Sequence, residues 1–168
     1  MRLFFADGCP YAQRTRALLT LLEKPFEPVV INEYLAEKFA WPRAFSADVK
    51  ERARERLLMK RFDELLVPTF FGSLKNPASL EAKPGWKREV ELLGETVKGK
   101  SPRSLLGLHL VTHWLRMKWL APESPVVKAM QACAGVYLDA AVALPSVAAT
   151  TPEREPTGNA LKAKFGLP

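Results

Sequence analysis

The apolar positions of this chain follow two kinds of pattern, divided near residue 43. Residues 2–5 form a short apolar run ended by Asp7-Gly8, which predicts a strand and then a turn. Pro10 suits a first helical position, because its missing N–H would have no partner there anyway. Thr15, Leu18, Leu19 and Leu22 then recur at spacings of three and four, predicting a helix to about Glu23. Residues 26–31 are rich in β-branched side chains and predict a second strand, with Pro28 marking an edge or a bulge. Strand, helix and strand within about thirty residues make a βαβ unit, with parallel strands and a right-handed crossover. Asn32 is placed to cap a short helix through Phe39, with Tyr34, Leu35 and Phe39 partly buried.

Beyond Trp41-Pro42 the periodicity is helical throughout. Asp48 and Glu51 form a capping box ahead of a long helix. Its expected apolar face is Ala53, Leu57, Leu58, Phe62, Leu65, Leu66 and Phe70, and Pro68 inside the pattern predicts a kink near residues 64–67. After a loop over residues 72–79, Trp86, Val90, Leu93 and Val97 mark another amphipathic helix, and residues 98–103 are a loop. Residues 104–120 are apolar nearly all round, as in a helix at the centre of a bundle. Ser124-Pro125 opens a last long helix to about Ala143. Pro145 and the TTPEREPTG stretch end regular structure, apart from a turn over residues 160–165. The expected architecture is an α/β N-terminal fragment (an incomplete βαβ) over residues 1–43, followed by an all-α helical domain over residues 44–168.

Composition narrows the function classes. Of 168 residues, 48% are apolar and 26% charged, enough to build a core with no disulfide or metal. The two cysteines, Cys9 and Cys133, share no metal-ligand spacing, and with no recognisable secretory leader they point to a reducing, cytoplasmic setting. The net charge of +7 favours anionic partners. The segment KERARERLLMKR alternates in sign, however, and reads as a solvated helix face; without a nucleic-acid-binding motif, nucleic acid is not an expected partner. The apolar stretch at residues 105–120 contains His109, His113, Arg116 and Lys118, and it is too short and too polar to predict a membrane span.

The candidate chemistry centres on Cys9, which lies between the end of a predicted strand and the start of a predicted helix. Unpaired N–H groups at a helix N-terminus and the helix dipole both favour a thiolate there, and can lower a thiol pKa from about 8.5 to roughly 3.5–7.5. Arg14 and Arg16, one to two turns on, are expected to add to the positive field. The fourth position of a redox C-x-x-C pair is Ala12, so Cys9 is a monothiol that needs an external resolving thiol. A small, half-buried structural cysteine is the alternative reading. His109 and His113 share a helix face but lack a third ligand, so no metal is expected and both read as packing or hydrogen-bonding residues. Cys133, among Ala129, Met130, Val136 and Tyr137, reads as an inert core residue, and Trp86, Trp114 and Trp119 as core.

The segment RLFFADGCPYAQRTRALLTLLEKPFEPVVI resembles the opening of omega-class, cysteine-type glutathione transferases and the related dehydroascorbate reductases, which carry C-P-[FY]-[AS]-x-R at the start of a thioredoxin-like domain. EYLAEKF, and then AFSADVKERARERLLMKRFDELLVP, resemble that family's domain crossover and first C-terminal helix, and SPVVKAM and LPSVAATTPE its last helices. The resemblance implies a glutathione-dependent thiol transferase or dehydroascorbate reductase. Cys9 would be its catalytic nucleophile, with Pro10 and Tyr11 beside it on the substrate side and glutathione as co-substrate. The partner substrate would be a small electrophile, a disulfide or dehydroascorbate, and a homodimer is allowed. It also implies that residues 1–43 are a thioredoxin-like domain and residues 44–168 the glutathione-transferase-type helical domain.

Three departures from the family pattern stand out. Ile31-Asn32 runs directly into Glu33-Tyr34-Leu35, where the family has a helix, a cis-proline loop, a strand pair and a Glu-Ser pair that grips the γ-glutamyl end of glutathione. The chain therefore resembles a form lacking the second half of the thioredoxin-like domain. It allows an alternative function, a catalytically impaired truncated variant acting as a binding or regulatory protein; a small glutaredoxin-like enzyme would need the same strands. Second, the first strand would become an exposed edge bearing Leu3, Phe4 and Phe5, which predicts association. Third, the family's aspartate near the start of the buried helix aligns with Gly107, which predicts loss of a cap costing about 1 kcal/mol.

Overall fold

The computed structural model describes residues 10–22, 39–42 and 44–166, with the side chains of Tyr11, Ala12 and Phe165 excepted. Its helices are α1 (Pro10–Leu21), α2 (Val49–Arg61), a π-helical segment (Phe62–Leu66), α3 (Val67–Lys75), α4 (Ser79–Ala82), α5 (Gly85–Val97), α6 (Leu105–Leu120), α7 (Pro125–Val142), α8 (Pro145–Ala148) and α9 (Arg154–Phe165).

The expected α/β N-terminal fragment is overturned: every regular element among the described residues is a helix and none is a strand. The α1 stripe of Ala17, Leu18 and Leu19, all fully buried, packs into a cluster with Leu105, Leu108, Val111 and Leu115 of α6, together with Ala44, Ala141 and Val147. Another helix therefore satisfies the apolar face of α1. The two strands expected at residues 2–5 and 26–31, the short helix after Asn32 and the predicted edge lie outside the described residues.

Helix α6 is the axis of the fold, as its all-round apolarity implies. Leu105 to Met117 are all buried. One side of α6 meets α1 as above; the other, Leu106, Leu110, Trp114 and Met117, joins a larger cluster with Leu58, Phe62, Leu66, Phe70, Trp86, Val90, Leu93, Val127, Met130 and Leu138. The stripe expected for α5 (Trp86, Val90, Leu93, Val97) is buried in full.

Helix α2 departs from its expected face. Only Leu58, Phe62, Leu66 and Phe70 go inside, at spacings of four, while Leu57 and Leu65 are about half exposed. Apolar residues four apart drift slowly around an α-helix of 3.6 residues per turn. A π-helical segment, with more residues per turn, turns the drift back and keeps Phe62 and Leu66 on the core. The Val67 N–H bonds the carbonyl of Phe62, five residues back, and Pro68, which has no N–H to give, follows at the junction with α3. The disturbance expected near residues 64–67 takes this form.

Half of the expected capping box is built: Asp48 Oδ1 accepts the Glu51 N–H at 2.9 Å. The Glu51 carboxylate instead turns to Arg54 and to Lys100. Lys100 also donates to Glu55 Oε1 at 2.7 Å and to Ser46 Oγ at 3.0 Å. Glu55 is buried and accepts the Ser46 N–H at 3.0 Å and the Ser46 hydroxyl. Burial pushes its carboxyl up, yet the hydrogen bonds from Lys100 and Ser46 outweigh burial and hold it below the usual carboxylate range. Removing one partner strands a buried charge. Lys100→Met is expected to cost about 2 kcal/mol, discounted because Lys100 itself reaches solvent. A urea melt measures it, and an unchanged midpoint would show that water replaces the lysine.

The C-terminal segment is more regular than its prolines suggest. Helix α9 starts at Arg154, so Pro156 falls in the first turn, where N–H groups have no intrahelical acceptor to lose.

Candidate functional site

Helix α1 begins at Pro10, as the sequence predicts, and the residue preceding it in the chain is Cys9. Cys9 lies outside the described residues, as does the Tyr11 side chain. Pro10 is half-buried at the first helical position.

The helical body holds the second turn of α1 by buried hydrogen bonds. Gln13 Oε1 accepts from Arg116 at 2.7 Å, and its Nε2 donates to Thr151 Oγ1 at 2.8 Å. Thr151 in turn donates to the carbonyl of Val147 at 2.7 Å. Arg14 donates to the carbonyl of His109 at 3.2 Å, and Arg16 to that of Thr150 at 3.0 Å. Both guanidinium groups thus reach carbonyls of the helical body, a contact the sequence reading did not assign to them.

Beneath this interface lies a buried polar cluster. His109 Nε2 stands 3.0 Å from Asp63 Oδ1 in the π-helical segment, and the Phe62 ring sits edge-on between His109 and His113, 6.1 and 5.8 Å from their ring centres. Burial pushes Asp63 up, but the hydrogen bond from His109 and the positive charge of Arg14 prevail and keep it below the usual carboxylate range. An ionised carboxylate only accepts, so the His109 Nε2 carries the proton and donates. Burial, with Arg14 adding to it, holds His109 below the ordinary imidazole value despite Asp63. His113 is driven down to about 3, chiefly by burial and next by the charge of Arg14.

Both histidines are therefore packing and hydrogen-bonding groups, as expected. No group of three or more His, Cys, Asp or Glu among the described residues is arranged to hold a metal ion. No described helix is long and apolar enough to cross a membrane. Trp86 and Trp114 are core residues, while Trp119 packs half-buried against the α1 cluster.

Cys133 departs from expectation. It is an exposed free thiol, in a surface groove of about 550 Å³ that also includes Val97, Lys98, Lys100, Val136 and Tyr137. Helix α7 turns Val127, Met130, Ala134, Leu138 and Ala141 inward, leaving Val136 on the opposite face and Cys133 on the flank beside Gly94 of α5.

Gln13, Asp63 and Arg116 escaped the sequence reading. One signal was present: a charged residue in the middle of an otherwise apolar helix, such as Arg116, needs a buried partner. Which residue supplies it depends on helix packing. The Glu123-Ser124 pair is structural, with Ser124 Oγ capping α7 through the Val127 N–H at 3.2 Å.

No protein-family profile and no curated protein matches this chain. Among solved structures, glutathione transferase Omega 1C from Trametes versicolor is similar, with a TM-score of 0.74 over 98% of this chain and 96% of that chain at 16% sequence identity. At that identity the likeness establishes architecture alone: the chain has a glutathione-transferase fold.

Proposed function

We propose that this protein is a glutathione-dependent thiol transferase of the omega type, with Cys9 as its nucleophile. The observation that carries this reading is a helix that opens at Pro10, directly after Cys9, in a chain that shares its fold with a glutathione transferase Omega. The thiolate attacks the glutathionyl sulfur of a mixed disulfide, and the substrate leaves as a thiolate that takes a proton from solvent. The thiolate of a second glutathione then attacks the Cys9–glutathione disulfide, releasing oxidised glutathione and regenerating Cys9. Dehydroascorbate is the alternative oxidant. Pro10 and Tyr11 flank the substrate side, and a reducing cytoplasmic compartment supplies the glutathione.

The test is glutathione-dependent reduction of a glutathionylated peptide by the parent and by Cys9→Ser, both in a Cys133→Ser background because Cys133 is exposed. Turnover is expected to fall at least about a hundredfold, since serine is not ionised at neutral pH. Equal turnover in the two would refute the nucleophile assignment. No turnover in either, together with no glutathione binding by calorimetry, would favour a binding or regulatory protein, which the sequence's missing γ-glutamyl contacts allow.

A further inference from the structure

The buried hydrogen bonds on α1 are more specific than packing requires. Ala17, Leu18 and Leu19 already anchor the helix through apolar burial, which is non-directional and leaves a helix free to slide or rotate by small amounts. Gln13 and Arg14, consecutive in sequence and close to the helix start, are both buried and are gripped at separate points. Gln13 is held between Arg116 and Thr151, on α6 and the C-terminal segment. Arg14 is held at the carbonyl of His109, the residue whose ring is fixed by Asp63 in the π-helical segment. Arg116 is itself anchored, donating to the carbonyl of Thr112 at 2.5 Å. Two parts of the body, α6 and the C-terminal segment, thus hydrogen-bond to one turn of α1, and the Asp63 carboxylate of a third acts on Arg14 by charge; hydrogen bonds, unlike apolar contacts, fix rotation. The influence of a helix N-terminus on a neighbouring anion fades within its first turn, so it depends on where that turn points.

We propose that Arg116 and the Asp63–His109 pair are positioning residues for the start of α1: through Gln13 and Arg14 they set the direction in which the helix presents its first N–H groups, and with it the reactivity of Cys9. The part concerning reactivity rests on the function proposed above. The mechanical part does not.

The decisive variants separate direction from charge. Gln13→Met changes no charge but removes the acceptor for Arg116 and the donor to Thr151. Asp63→Ala removes a negative charge, which by direct electrostatics would make Cys9 more acidic; loss of positioning would make it less acidic. Both are made in a Cys133→Ser background, and Cys9 alkylation is followed against pH. Each variant is expected to alkylate about tenfold more slowly at pH 6.5 than the parent, with the profile moving toward that of an ordinary thiol. Leu58→Ala, which destabilises the other core cluster, serves as the control for general loosening and is expected to leave the profile in place.

Hydrogen exchange supplies the second readout: α1 amides should exchange at least about tenfold faster in Gln13→Met and Asp63→Ala, relative to α5 amides of the same protein. An unchanged profile with unchanged α1 exchange overturns the proposal, as does a faster-alkylating Asp63→Ala. If the parent already alkylates like a free thiol, the thiol-transferase reading falls and the exchange ratio alone decides whether the clamp exists. Should Asp63→Ala fail to fold, Arg116→Lys keeps the charge and surrenders the forked geometry, with the same shift expected at smaller size.

Discussion

Lowering the pH from 7.5 to 5.0 is expected to cost this protein roughly 2 kcal/mol of folding stability through His113 alone. In the folded chain His113 titrates at about 3, against an ordinary value of 6.5. Above pH 6.5 both states hold it neutral and the folded state carries no penalty. Below that, the unfolded chain takes up a proton that the folded chain refuses, and stability falls by about 1.4 kcal/mol per pH unit until the folded group titrates, for a total of roughly 5 kcal/mol. His109, also depressed, acts in the same direction. Asp63 adds its own acid loss only below about its ordinary value of 3.8, because its folded pKa is lowered and its contribution is present above that range. The described groups facing His113 explain the size of the effect: burial dominates, and Arg14, His109 and Arg116 on two helices oppose a further positive charge, against which Asp63 acts in its favour.

Urea melts at the two pH values measure this loss, and His113→Gln should flatten most of it. A ring resonance for His113 that stays put between pH 7.5 and 5.0 is the direct confirmation. A midpoint near 6.5 would mean that water reaches the ring and that the cluster is looser than its geometry.

Replacing Gly107 by the aspartate that the resemblance to omega-class glutathione transferases implies there is expected to destabilise the protein by about 3 kcal/mol, the upper end for forcing atoms into a packed interior. The sequence suggested the opposite, a missing cap. The cap is present: Ser104 is extended at the N-cap and its Oγ accepts the Gly107 N–H at 3.1 Å. The Tyr137 hydroxyl lies 3.3 Å from Ser104 Oγ and donates to the Ser101 carbonyl at 3.4 Å, binding the loop to α7. Gly107 has a different task. A Cβ there would stand 1.9 Å from the carbonyl oxygen of Pro102, a backbone atom that cannot swing aside as a side chain could. The loop before α6 folds back onto its first turn, and only a residue without a side chain leaves it room. Gly107→Ala tests the clash alone, by chemical denaturation. Gly158→Ala is the matched comparison, since its Cβ meets nothing within 4 Å; a gain of roughly 0.5–1 kcal/mol is expected there. Similar values for the two glycines would show that the Pro102 loop yields.

Several elements were legible before any fold was known. Helix α6 was recognisable as central because a stretch apolar on every side has no face for water. Helix α5 was recognisable from four residues at strict spacing. The starts of α1, α2 and α7 followed from Pro10, Asp48 and Ser124-Pro125, local groups that act on their own neighbours. The readings that failed concern residues whose state depends on another segment. Cys133 lies among apolar residues in sequence, yet it stands at the edge of the α5–α7 contact, beside Gly94, with its thiol exposed. The extent of α9 was hidden because prolines near a boundary look alike whether they begin a helix or end one.

Sequence by itself determined where helices start, which stripes are apolar, and that a lone cysteine directly precedes a helix without a second thiol three residues on. These are properties of one turn of chain, encoded by neighbours three and four apart. Only the tertiary structure decided that α1 is buried on a helix, that Arg116 holds Gln13, that Asp63 faces His109, and that Gly107 must be bare. Each of those facts joins residues far apart in the chain, and their proximity comes from the packing of the whole set of helices around α6, which no local pattern specifies.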